Sequence, residues 1–122
     1  MPNWVKNRVR AKNKEDAQKL IDILVKEEDG KKYTNFNGVI PMPEDLRNTT
    51  ALNPNREMAK ALKEKYGFED WYGFARTMWG TKWDNNEVTI GPKGEIEFET
   101  AWCIPIGVYE KIAMTIPLVV AY

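Results

Sequence analysis

Between residues 79 and 83 the chain reads Trp79-Gly80-Thr81-Lys82-Trp83, two indole rings around a glycine, a hydroxyl and an ammonium in one tight turn. Two readings fit. In one, the rings stack on a base while Lys82 meets a phosphate. In the other, Gly80 ends a helix, Trp79 and Trp83 seal the segment onto the core, and Lys82 lies over a ring as a cation–π contact. A second group is acidic: Glu95, Glu97 and Glu99 share one strand face, with Asp84 and Glu87 nearby. Carboxylates so spaced would bind a hard cation or supply paired acids. A third is basic: Lys6, Arg8, Arg10, Lys12 and Lys14 fall within residues 1–14 with no acidic residue among them, and Trp4 shares the parity of the first three. If these two strands are neighbours, Lys6, Arg8 and Arg10 match the glutamates across the sheet, each opposite pair contributing ~0.2–1 kcal/mol.

The missing residue types narrow the chemistry. With no histidine in the chain there is no histidine triad, histidine-ligated metal or imidazole acid–base pair. Cys103, the single cysteine, has no basic neighbour in sequence and follows a core strand, which reads as a structural thiol; there is no CxxC and no glycine-rich phosphate loop. No catalytic residue, metal or cofactor is therefore assigned. The 18 basic and 18 acidic residues cancel, so no global field draws the chain to nucleic acid or an anionic membrane. An RNA-reading sheet needs aromatic platforms and spare positive charge, and here glutamates would border Trp4, so nucleic acid is not the expected partner. One cysteine and no apolar run long enough to span a bilayer predict a reducing, cytoplasmic setting and no membrane.

The 122 residues predict one domain with one core. Residues 4–11 alternate with Val5, Val9 and Ala11 inward and Asn7 as the polar exception on that parity. Asn13 reads as the cap of a helix over residues 14–26, with Ala17, Leu20, Ile21, Leu24 and Val25 at helical spacing and Gly30, inside the charged run 26–32, as the residue that ends it. A short extended piece is expected at residues 36–40 and a loop at 44–55. Asn55 caps a second helix closed by Gly67, and Asp70 begins a third, with Trp71, Phe74, Ala75 and Met78 on one stripe, closed by Gly80. Val88 and Ile90, the turn Gly91-Pro92-Lys93-Gly94, and the alternating Ile96, Phe98, Thr100 and Trp102 predict a hairpin. Pro105 opens a last helix facing Val108, Tyr109, Ile112, Ala113 and Ile116 inward, and Leu118–Tyr122 reads as a buried terminal strand. The order is β-α-β-β-α-β, an α+β ferredoxin-like sandwich with residues 27–83 as a helical insertion between the first helix and the central hairpin.

Four stretches, MPNWVKNRV at residues 1–9, IPMPEDL at 40–46, WGTKWD at 79–84 and FETAWCIP at 98–105, together resemble the YubB ferredoxin-like family of phage and plasmid proteins. The chain differs from the family's tendency at Met78, where a polar residue is common, and at Cys103, where a small hydroxyl residue is common. The resemblance implies the ferredoxin-like fold and a mobile-element origin, and carries no activity with it. The function expected from resemblance and exclusion is that of a non-catalytic accessory protein in the host cytoplasm that binds a host protein, such as a defence or restriction component. The alternative is a nucleotide-binding protein or sponge that uses Trp79, Lys82 and Trp83.

Overall fold

The alternating N-terminal run forms strand β1 (Trp4–Ala11), with Asn7, Val9 and Ala11 buried and Trp4, Lys6, Arg8 and Arg10 exposed. The computed structural model describes residues 3–51 and 53–121; Met1 and Pro2 of the MPNWVKNRV stretch, Tyr122 at the end of the expected last strand, and Leu52 in the expected loop lie outside them. Two further strands, β2 (Val25–Glu28) and β3 (Lys31–Thr34), pair with each other. The predicted hairpin is present as β4 (Thr89–Ile90) and β5 (Ile96–Ala101), and β6 (Leu118–Ala121) closes the chain. Four strands form one antiparallel sheet in the order β4-β5-β1-β6. The β2–β3 hairpin extends toward that sheet through residues 86–88: Thr34 N donates to Asn86 O at 2.8 Å and Val88 N to Lys32 O at 2.9 Å.

That hairpin corrects the reading of residues 14–40. The helix expected over 14–26 is a 3-10 turn at Lys14–Asp16 followed by helix α1 (Ala17–Leu24), and the side chain of Asn13 does not cap it. Val25 leaves the helix because Asp29 and Gly30 take φ of 51° and 79°, the paired left-handed conformation of a two-residue hairpin turn, which lets the charged run fold back as strands. The insertion is thus not purely helical. Phe36–Val39 is a short helix α2, not extended chain, since Asn35 accepts from Gly38 N at its start. Within the expected loop, Glu44–Arg47 forms helix α3.

The capped helices match their signals. Helix α4 (Arg56–Tyr66) has Asn55 accepting from Met58 N and ends at Gly67 with φ 87°. Helix α5 (Trp71–Phe74) has Asp70 accepting from Gly73 N. It continues as a π-helical segment, Ala75–Trp79, closed by Gly80 N donating to Ala75 O at 3.0 Å. The wide turn changes which residues share a face: Phe74 and Trp79, five apart, meet edge-on with ring centroids 6.0 Å apart, while Met78 points outward.

Helix α6 (Ile106–Ala113) buries Val108, Tyr109 and Ile112, whereas Ala113, expected to face inward, is exposed on its last turn. Strand β6 is an edge strand with Leu118 and Val120 half-buried and Val119 exposed, not the fully buried strand expected, because only β1 flanks it. Leu20, Leu24, Val9, Ile96, Phe98, Val108 and Ile112 make the core, and Phe36, Leu46, Phe74 and Trp79 of the insertion join the same cluster. Each full burial of this size contributes ~1.5–3 kcal/mol. Phe36 stands 5.9 Å from Phe98 and 6.0 Å from Trp79, so the insertion packs on the helical side of the sheet and leaves the other face open.

The polar exception on β1 is bonded throughout. Asn7 Nδ2 donates to Val5 O at 3.0 Å and to Thr100 Oγ1 at 2.9 Å, and Asn7 Oδ1 accepts from the Tyr109 hydroxyl at 2.6 Å. Thr100 Oγ1 in turn donates to Cys103 O at 2.7 Å. This network ties β1, β5, α6 and the chain between them at one depth of the core, and burial pushes the Tyr109 phenol well above its ordinary range.

Candidate functional site

The turn at residues 79–83 divides in two. Trp79 is buried and its Nε1 donates to Ile40 O at 2.9 Å. Gly80 has φ 100°, and a Cβ there would lie 2.7 Å from Ile106 N and 2.9 Å from Ile104 O, so only glycine lets the turn lie against the start of α6. The Thr81 hydroxyl, also buried, donates to Ala101 O at 2.9 Å. These three residues hold the turn to the IPMPEDL and FETAWCIP stretches. Lys82 and Trp83 stay at the surface: the Lys82 ammonium lies 4.2 Å from the Trp83 ring centroid, and Trp83 stands 6.1 Å from Trp4 at the start of β1. Asp84 then anchors the turn's far side, its two oxygens accepting from the Thr34 hydroxyl at 2.9 Å and from Phe36 N and Asn37 N at 3.0 Å.

On the open face the strand register places Arg8 opposite Glu97 and Lys6 opposite Glu99. Arg8 and Glu97 form an ion pair at 2.7 Å. Arg10 lies beyond β5, opposite Val119 of β6, and Glu95 falls in the turn before β5 starts, so the expected third charge pair is not made. Among the described residues no three acidic or cysteine side chains gather closely enough to hold a metal ion. A shallow concavity of about 510 Å³ runs between Trp4, Lys6, Glu97 and Glu99 on this face, and its carboxylates disfavour phosphate.

Trp102 was expected on the inner parity of β5, but the strand stops at Ala101 and the backbone turns through φ 67°, which throws the indole outward to 55% exposure. Cys103 follows it to the surface and is exposed, contrary to its reading as a structural thiol. Trp102 N donates to Asn3 O at 2.8 Å, so β1 and β5 hold this residue at the end of the sheet where Trp4 begins. The exposed rim thus carries Trp4, Trp83 and Trp102, of which sequence reading singled out two. A signal for the third was present, since a hydroxyl on β5 at Thr100 followed by Ala-Trp-Cys-Ile-Pro leaves little strand for the alternation to continue.

Two clefts meet at Lys82. One, of about 300 Å³, is lined by Tyr72, Arg76, Lys82, Trp102 and Cys103, with Arg76 donating to the Tyr72 hydroxyl at 3.2 Å. The other, of about 340 Å³, lies on the insertion side, between Lys26, Arg47, Trp71 and Trp83. No helix among the described residues is long and apolar enough to cross a membrane. Comparison with protein-family models, curated proteins and solved structures gives no match for the chain.

Proposed function

We propose that the chain acts without catalysis, by binding a partner protein at the tryptophan-bearing end of its sheet. The observation that carries this reading is the exposure of Trp4, Trp83 and Trp102, at 48%, 39% and 55%, around one end of β1 and β5. Tryptophan, tyrosine and arginine are the preferred anchors of protein interfaces, and exposed rings that the fold holds in place lose little entropy on docking. Arg76 and Lys82 border the rim, and among the described residues neither has a carboxylate within ion-pairing distance. The complementary partner therefore presents an apolar patch with an acidic border.

The strand order β4-β5-β1-β6 supports assignment to a ferredoxin-like fold, with the first and third core strands central. That assignment agrees with the resemblance to the YubB family, and with it a phage or plasmid origin and a host protein as partner, such as a component of a defence or restriction system in the host cytoplasm. The Glu97 and Glu99 carboxylates beside Lys6 and Arg8 support the expectation that the sheet does not bind nucleic acid.

The test is affinity capture from host cytoplasm by the wild-type chain and by a Trp83→Ala/Trp102→Ala double variant, followed by carbodiimide coupling of Lys82 to partner carboxylates. A partner held in stoichiometric amount, coupled at Lys82 and lost from the double variant, is the expected result. A captured protein that binds both forms equally, while the double variant retains its melting temperature, overturns the assignment of the rim.

A further inference from the structure

The insertion-side cleft differs in chemistry from the tryptophan rim. Its walls come from four separate parts of the chain: Lys26 on β2, Arg47 at the end of α3, Trp71 at the start of α5, and Lys82 and Trp83 in the turn. Three cations thus border a single concavity of about 340 Å³, at the lower end of the range that holds small ligands. The one carboxylate lining it, Asp84, is held in place by three hydrogen bonds from Thr34, Phe36 and Asn37, and its single charge offsets only one of the three cations. Lys26 has only a loose contact of 3.9 Å to the exposed Glu28, and among the described residues Arg47 and Lys82 have no carboxylate within ion-pairing distance.

Positive charge concentrated in a concave site and exceeding its one internal carboxylate lowers the cost of an anion entering it, and an arginine fork together with ammonium groups suits a phosphate's oxygens. The half-buried indole of Trp71 supplies a flat apolar wall beside that charge, and the buried Trp79 also lines the cleft, its own N–H already bonded to Ile40 O. We infer that this cleft binds a nucleoside phosphate, with Lys26, Arg47 and Lys82 around the phosphate and Trp71 against the base. The cleft shares Lys82 and Trp83 with the rim, whereas Lys26, Arg47 and Trp71 line neither of the clefts that hold Trp4 and Trp102, so these three residues test the inference separately.

Isothermal titration calorimetry with AMP, and with inorganic phosphate alone, tests it on the full chain. Saturable AMP binding is expected, at least about tenfold tighter than phosphate because the base adds a stacking contact. Lys26→Ala/Arg47→Ala should weaken AMP about tenfold or more, since each cation supplies a charge-assisted bond, while Arg47 is exposed and Lys26, half-buried, makes only a loose ion pair, so the variant should melt close to wild type. Trp71→Phe should reduce the preference for AMP over phosphate. Absence of saturable AMP binding at millimolar concentration, equal affinity for AMP and phosphate, or unchanged AMP affinity in the folded double variant each overturns the proposal. The same double variant should still capture the protein partner, so loss of nucleotide binding and failure of the rim are read separately.

Discussion

Two halves of one turn, three residues on one side and two on the other, do different work. Trp79, Gly80 and Thr81 are bonded or pressed into three other parts of the chain, with Trp79 and Thr81 almost inaccessible, whereas Lys82 and Trp83 contact mainly each other and Trp4. The difference teaches that a conspicuous motif need not be a single unit. Its first half fixes position, and its second half is left available for recognition by that fixed position.

The sharpest test of this division is Trp79→Ala, which empties the centre of the aromatic cluster with Phe36 and Phe74 and should cost ~3–5 kcal/mol in chemical denaturation. An effect near that of a surface residue would erase the distinction between the halves. Next comes Gly107→Ala, where an added Cβ would collide with the backbone oxygen of Met78. Helix α6 must then move off the π-helical segment, for a cost of ~1–3 kcal/mol or more by the same assay, whereas alanine in an open helix position would be neutral or better.

The Tyr109 network sets an intermediate effect with a defined pH dependence. Because burial raises the folded phenol's pKa above its unfolded value, the neutral phenol's contribution is fully present below the ordinary tyrosine value of about 10 and is lost as pH rises above it. Wild-type stability should therefore fall on the alkaline side, and Tyr109→Phe, which strips the donor from Asn7 Oδ1, should cost ~1–3 kcal/mol near neutrality and show a flatter alkaline decline. Parallel alkaline curves for the two proteins would remove Tyr109 as the cause.

The smallest expected effects belong to the outer half of the turn. Trp83 is 39% exposed, so Trp83→Ala should cost only ~1 kcal/mol in place of the loss expected of a buried ring, and Lys82→Ala should remove one exposed cation–π contact worth ~0.5–1 kcal/mol. Both variants should nonetheless weaken partner capture. A Trp83→Ala protein that loses as much stability as Trp79→Ala would show that the two halves form one structural unit.

Local signals carried much of the architecture. Alternation on β1 and β5, the capping side chains of Asn55 and Asp70, and the glycines at 67 and 80 act within a few residues of where they stand, so the chain itself specified those elements, whereas the adjacency of Arg8 and Glu97 follows from the order in which the strands pair. The Asp29-Gly30 hairpin was equally local and was obscured by the charges around it, because both strands expose lysines and glutamates and show no apolar alternation. The stop at Ala101 was different. Alternation alone predicts Trp102 inside, and the backbone is held turned by hydrogen bonds of Trp102 N to Asn3, of Cys103 N to Ala101 and of the Thr100 hydroxyl to Cys103 O.

By itself the sequence determined the charge balance, the absence of histidine chemistry, the alternation of β1 and β5, and the presence of a turn rich in indole at residues 79–83. Tertiary structure decided which side of each residue faces water. Trp79 and Trp83 are the same side chain four positions apart, yet one is enclosed by Ile40 O, Phe36 and Phe74 and the other rests on Trp4 at the surface. The convergence of Lys26, Arg47 and Lys82 on one cleft likewise depends on the return of β2, α3 and the turn to the same place. Burial and charge proximity are properties of pairs far apart in the chain, and no local pattern encodes them.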